Sequence, residues 1–567
     1  MAITHFQLLG AAAVFGILLW QLMHRKLNSS LANVAGPDST SWVTGNFKQF
    51  FNPRAWGFHE FLGMKYGSTA RLHGPFGTTS LYTVDAKAMH TVLVKAQDVF
   101  EESDGFIASN LLIFGVGLFG TLGHQHRKQR KMLNPVFSAA HMRDMIPTFF
   151  HISHQLESAL KTKLQKGPAT QEVDILSWMG RTALEMIGQA GLGYSFDPLT
   201  DEETAHPYSR VIKELIPVMM RLQFWRMVVL PYVSRIGTAG FRRFVIGILP
   251  WKNVHHLRDM VDYMNLIAED IYRNKQRAFE MGDDAVAQQI GRGKDLISIL
   301  MKENMKASDE DRLQDIEVLG QENRHSTFIF AAMDTTSSAM ARLLHLLSQH
   351  TEVQNKLRQE LIEAKSQNGG QDLTYKELTE LPYLDAVCRE TLRLYPPVSI
   401  VARVARKDTV VPLHKPIIGL DGTEIREIAV QKGTVVFVSI YNANRNADLW
   451  GKDANEWKPE RWLSDLPDEL TDARIPGVYS HLMTFIGGGR SCIGFKFSQL
   501  EMKHPLARTH DIKEVVISTL VETFNFSTSD KDSQIYWQMN GVAAPVVGED
   551  IRPQLPINIS LVTKCMS

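Results

Sequence analysis

The chain reads as mainly α with small β-sheets, an α+β arrangement, and three observations predict this. Long stretches carry apolar residues at three- and four-residue spacing. Alternating, β-branched stretches are short and fall near both ends of the chain. No internal repeat, low-complexity tract or long linker divides the 567 residues. Length alone suggests several domains, but that prior is soft, because single enzyme cores reach this size. The 44% hydrophobic and 22% charged content is ordinary for a globular protein. Lys plus Arg and Asp plus Glu number 61 each, so no nucleic-acid partner is implied. Cys388, Cys492 and Cys565 are the only cysteines. So sparse and odd a set argues against a disulfide-stapled secreted protein and for a reducing compartment.

In chain order, residues 6–23 read FQLLGAAAVFGILLWQLM, an uncharged run near the lower length limit for crossing a hydrocarbon core. His24-Arg25-Lys26 follow it, and the first five residues carry no Lys or Arg. A secretory signal places its charge before the apolar run, so residues 1–26 are expected to be an uncleaved anchor. The positive-inside rule then puts everything downstream in the cytosol. Residues 27–46, with Gly36-Pro37 and Gly45-Asn46, read as a linker, and 47–567 as one folded domain. Residues 69–84 alternate around Gly74-Pro75-Phe76-Gly77, which predicts an early β-hairpin. Helices are predicted at about 147–165, 175–191, 254–281 and 313–350. Another is expected over 383–395, stopped by Pro396-Pro397. Strand patterns return at 434–441 and in the last forty or so residues.

One thiol stands apart. Cys492 lies in Phe485-Ile-Gly-Gly-Gly-Arg-Ser-Cys-Ile-Gly494, behind three glycines and Arg490. Glycines let a backbone turn sharply and approach closely, and the arginine supplies a fixed cation. Adjacent amides and a following helix N-terminus favour the thiolate. With no second cysteine nearby, tetrathiolate zinc and ordinary iron–sulfur ligation are excluded, and a thiolate-ligated haem remains. Taken by itself, the residue also reads as a structural cysteine in a turn.

Upstream, Asp334-Thr335-Thr336 interrupts an apolar helical stretch, where a threonine hydroxyl bonds back to a carbonyl one turn earlier and loosens the helix. The bland alternative is a satisfied polar pair in a core helix. Glu390 and Arg393 stand three apart on one helix face, within reach of each other. Most such pairs are solvated surface ion pairs. Residues 123–137 carry a run of positive charge, which suits a solvated helix face or an acidic partner.

Taken in order, these motifs resemble the cytochrome P-450 family of haem-thiolate monooxygenases, in particular its fungal microsomal members. The resemblance covers nearly the whole chain after the anchor and implies the cytochrome P-450 fold behind an N-terminal transmembrane helix. It implies haem, an iron protoporphyrin with Cys492 as axial thiolate and Phe485 packed beside the sulfur. His126 and Arg130 hold the spacing of a family Trp and Arg that contact a haem propionate. Arg403 and Arg490 match further propionate positions. Asp334 and Thr335 would relay protons, and Glu390, Arg393 and Arg461 would form a buried structural triad.

The implied activity is oxidation of a lipophilic small molecule, such as a terpenoid in specialised metabolism. Electrons would come from an NADPH-dependent cytochrome P-450 reductase, with cytochrome b5 as an additional donor. The implied location is the endoplasmic reticulum membrane, single-pass, with the catalytic domain in the cytosol. Apolar residues 224–251 are expected to touch that membrane. Two alternatives stand beside this reading: a haem-thiolate isomerase or dehydratase, and a haem protein impaired by an insertion at 504–513. Pro505 in that segment predicts a break in the helix after the cysteine.

Overall fold

β-Branched and aromatic residues at alternating positions build the first sheet. In the computed structural model, which describes residues 30–306 except 202, 204 and 292, then 325–495 and 512–563, five strands join side by side. They are β1 (Thr69–His73), β2 (Thr79–Thr83), β3 (Phe100–Glu101), β4 (Ile400–Ala405) and β5 (Val435–Ser439). Their order is β1-β2-β5-β4-β3. β1 and β2 are the expected hairpin, paired Thr69 to Thr83 and His73 to Thr79. β5 runs parallel to β2 and antiparallel to β4. Leu81, Val436 and Val438 have no exposed surface, so this sheet is packed rather than solvated.

The chain divides into two units. One comprises Met1–Glu102, Ile400–Gly451 and Glu469–Gly488, and therefore contains this sheet. It also contains a buried histidine. His59 donates from Nε2 to the Phe50 carbonyl at 3.0 Å, and its ring lies 4.6 Å from the Phe50 ring. Burial pushes its pKa down from 6.5 to about 4, against the opposing pull of that hydrogen bond. A depressed folded-state pKa means the neutral ring is favoured in the fold, so its contribution is present above pH 6.5 and lost as pH falls toward 4. The span amounts to about 3 kcal/mol. The unfolding free energies of wild type and His59→Gln are expected to converge as pH is lowered through this window. A difference independent of pH would sink the assignment.

The second unit, Ser103–Ser399 with Lys452–Asp468 and Gly489–Ser567, is mostly helical. Its site-bearing helices are α1 (Asp104–Phe114), α2 (Gly123–Leu133), α3 (Pro207–Arg221), α4 (His325–Gln349) and α5 (Pro382–Leu394). Ser103 caps α1, its hydroxyl accepting from the Phe106 amide. Pro382 opens α5 at a first-turn position, where its missing N–H costs nothing. The helix Ile175–Met186 is buried on every side. It packs along α4, whose Ile329, Met333, Met340, Leu344 and Leu347 are fully buried. The buried charges of Ile175–Met186 are satisfied internally, Arg181 on Asp197 and Glu185 by the Ser195 hydroxyl and the Phe196 and Asp197 amides.

Small antiparallel sheets close this unit: Pro556–Leu561 between Thr170–Asp174 and Phe524–Thr528, and the hairpin Ile535–Asn540 with Val542–Val547. The mostly helical class with small sheets is thus as expected.

Several boundaries differ from the sequence reading. The helix expected from 147 runs Ala139–Gln165, with Pro147 inside it. Buried Met142, Met145, Phe149 and Ile152 outweigh the hydrogen bond that proline removes. The helix expected to 191 ends as α-helix at Met186 and widens into a π-turn over Ile187–Leu192. Residues 313–324 of the expected long helix lie outside the described residues, as do the 6–23 run and the expected break at Pro505. Among the described residues, no helix is long and apolar enough to cross a membrane.

Candidate active site

The cysteine loop begins with two glycines that admit no side chain. Gly488 stands at φ +79°, and a Cβ there would lie 2.1 Å from the Leu93 carbonyl oxygen. At Gly487 a Cβ would lie 1.8 Å from the Pro476 carbonyl oxygen. Phe485, in the same unit, is buried and meets Tyr479 edge-on at 5.8 Å.

In the second unit, Cys492 follows the short turn Gly488–Arg490 and precedes another, Ile493–Phe495. Its thiol is exposed, whereas Cys388 is buried in α5. Arg130 of α2 grips the preceding residue, donating to the Ser491 carbonyl at 2.6 Å and to its hydroxyl at 3.2 Å. Burial pushes the Arg130 pKa down, and the charge on Cys492 works against that. By the same interaction the guanidinium favours thiolate over thiol. Arg490 donates to the carbonyls of Leu118 and Thr121 at 2.8 and 2.5 Å, in the connection between α1 and α2. His126 is buried one turn before Arg130. Both line a cleft of about 520 Å3 that also holds Arg127, Lys131 and Gly489.

The donor set decides what such a site holds. Among the described residues no group of three or more His, Cys, Asp or Glu side chains converges as a metal cage. One accessible thiol beside cations fits a metal that arrives with its own equatorial ligands, which is haem.

Thr335 on α4 donates to the Ala331 carbonyl at 2.7 Å, the back-bond expected of a threonine mid-helix. Asp334 is buried and paired: Lys213 of α3 donates to its Oδ1 at 2.7 Å and to the Ser337 hydroxyl at 2.6 Å. Lys213 was not singled out from sequence. It lies 121 residues from Asp334, and one lysine on an amphipathic helix gives no local signal.

Glu390, Arg393 and Arg461 meet in the interior. Arg393 binds Glu390 bidentately, with both N···O distances 2.8 Å. Arg461 approaches Glu390 at 3.4 Å, and the Trp462 indole and the Lys458 amide donate to it at 3.0 Å each. Arg393 also donates to the Ala454 and Glu456 carbonyls. Neither Glu390 nor Arg393 has exposed surface, so this is no solvated pair. Arg403 of β4 lies buried in the first unit, 3.4 Å from Glu102. Burial pushes its pKa down and Glu102 opposes that. The pairing with Glu102 was not foreseen.

A mostly helical fold with small sheets and a lone thiol in a glycine-bound loop define a haem-thiolate class of protein. The cytochrome P450 family model matches residues 35–535, and the chain belongs to that family, which binds haem through a cysteine thiolate. It is 47% identical to cytochrome P450 monooxygenase 91 of Postia placenta over 97% of each chain. Monooxygenase 212 of the same fungus is 46% identical over 95% of each chain. Ganoderic acid synthetase CYP5150L8 of Ganoderma lucidum is 42% identical over 97% of each. P450 monooxygenases are oxidoreductases, and the recognition made from the motifs agrees with these relatives.

Proposed function

We propose that this chain is a membrane-anchored monooxygenase that oxidises a lipophilic small molecule, a terpenoid foremost, with Cys492 as the thiolate that would hold its haem. The exposed, cation-flanked thiol of Cys492 carries the reading. The name of the Ganoderma relative supports the substrate class. When bound, haem supplies reductive activation of dioxygen.

The residues around it have separate tasks. Arg130 and Arg490 bring fixed guanidinium donors to the loop, and with His126 and Arg403 they are assigned to the haem carboxylates. Asp334 holds a proton-exchanging carboxyl, and Lys213 fixes one of its oxygens in place. The Thr335 hydroxyl spends its proton on Ala331, which leaves its oxygen lone pairs to accept from water. Proton delivery by a positioned group contributes about 10²–10⁴-fold. Asp334→Asn is therefore expected to lower kcat by about 10²-fold or more and to raise the solvent deuterium isotope effect. An unchanged isotope effect would remove Asp334 from the proton path.

Electrons are assigned to an NADPH-dependent reductase, with cytochrome b5 as an additional donor. Exposed His124, Arg127 and Lys131 on α2 suit an acidic docking surface. Residues 6–23 anchor the chain in the endoplasmic reticulum membrane. Exposed Phe224, Trp225, Tyr232, Ile236, Phe244 and Ile248, with Arg235 and Arg243 among them, give a second lipid-facing surface.

The test is a reduced, carbon monoxide-bound spectrum of the haem-loaded protein, followed by turnover of a terpenoid panel. A thiolate-type Soret band, with turnover that requires both reductase and dioxygen, supports the proposal. Turnover needing neither would identify isomerase or dehydratase chemistry instead.

A further inference from the structure

One buried cation past the end of α3 has no acid to match it. Arg226, in the π-turn Trp225–Val229 that follows α3, is 8% exposed. Its Nε donates to the Ser109 hydroxyl of α1 at 2.7 Å. Nη1 donates to the Met219 carbonyl near the end of α3 at 3.1 Å and to the Gln223 side chain at 3.3 Å. These are neutral partners. Among the described residues no carboxylate pairs with the guanidinium and nothing accepts from Nη2. Burial alone pushes its pKa down to about 10, with no acid working against it. Next to Ser109, Asn110 is 3% exposed, and its amide Nδ2 has no hydrogen-bond partner. A buried charge without a counter-charge is costly, and so is a buried donor without an acceptor. The corner between α1 and α3 thus holds an excess of donors over acceptors.

That corner is built rigidly and stands beside the Asp334 helix. α1 lies so close to the π-turn that a Cβ on Gly105 would fall 2.6 Å from the Met227 Cα. Further along α1, Phe114 meets Phe330 of α4 with ring centroids 5.1 Å apart, one turn before Asp334. α3 spans the same interval, since it carries both Lys213 on Asp334 and the Met219 carbonyl on Arg226. At 1.5 Å of rise per residue, those two points lie about 9 Å apart along α3. A polycyclic terpenoid skeleton is about that long.

We propose that Arg226 is an anionic anchor for substrate: it binds a carboxylate at one end of a lipophilic molecule and so presents the other end toward Asp334 and Thr335. The natural substrate is then a lipophilic carboxylic acid rather than a neutral hydrocarbon or alcohol. This rests on the monooxygenase reading above. Arg226 is a specificity-determining residue and takes no part in the oxygen chemistry. Lipophilic ligands without a carboxylate leave the guanidinium unmatched and bind more weakly, because a polar site rejects analogues that cannot pair with it.

The test is titration calorimetry on the haem-loaded full chain with three matched pairs: dodecanoic acid and its methyl ester, abietic acid and methyl abietate, ursolic acid and methyl ursolate. For at least one pair the acid is expected to bind at least about ten-fold tighter than the ester, about 1.4 kcal/mol. Arg226→Gln removes that preference by weakening the acid alone, and Arg226→Lys keeps part of it. Equal affinity of acid and ester in every pair, binding by no acid, or an equal loss for both in Arg226→Gln overturns the anchor. The wild-type comparison decides the matter even if the variants do not fold. The reduced carbon monoxide spectrum separates the two readings. With a thiolate-type band present, a lost acid preference refutes the anchor only, whereas its absence refutes the haem-thiolate reading itself.

Discussion

Cys492→Ser protein is expected to fold and to lose its chemistry. The side chain is exposed, and the loop around it is held by Arg130 and Arg490 through Ser491, Leu118 and Thr121, none of which needs the sulfur. Far-ultraviolet circular dichroism and the denaturation midpoint of the apoprotein should match wild type. The reduced, carbon monoxide-bound spectrum should lose its thiolate-type Soret band, since a serine oxygen cannot supply the electron density of a thiolate. Turnover should fall by at least about 10³-fold, the scale on which removal of an indispensable group acts. A thiolate-type band surviving in Cys492→Ser would mean that another sulfur is the ligand.

The second large effect belongs to Glu390. Breaking a buried ion pair from one side costs about 3–5 kcal/mol, against a total stability of about 5–15 kcal/mol. The two sides are not equivalent. Arg393→Ala leaves Glu390 with Arg461, the Trp462 indole and the Lys458 amide as donors. Glu390→Ala leaves two guanidinium groups in the interior with their shared anion gone, beside the Ala454 and Glu456 carbonyls and Asp453. Glu390→Ala should therefore be the more destabilising, with chemical denaturation of the apoprotein as the measure. A loss below about 1 kcal/mol for Glu390→Ala would assign the triad to the solvated class of ion pairs.

What the sequence made legible follows the range of the signal. Cys492 and its glycines are neighbours in the chain, so their pattern could be read directly. The β1–β2 hairpin was visible because Gly74 to Gly77 mark its turn and alternation marks its strands. The start of the Ala139–Gln165 helix was less visible, because Pro147 imitates a first-turn proline while buried Met142 and Met145 upstream of it carry the helix past it. Partners that arrive from distant elements left no trace. Lys213 for Asp334, Glu102 for Arg403 and Ser109 for Arg226 come together only through packing, and nothing local distinguishes them from other polar residues.

The two glycines ahead of the cysteine carry a consequence at the level of the gene. Every amino-acid replacement reachable from a glycine codon by one base change adds a Cβ. At position 487 that atom lands on the Pro476 carbonyl, and at 488 on the Leu93 carbonyl in a left-handed backbone. In a saturation library selected for haem incorporation, both codons should survive with synonymous changes alone.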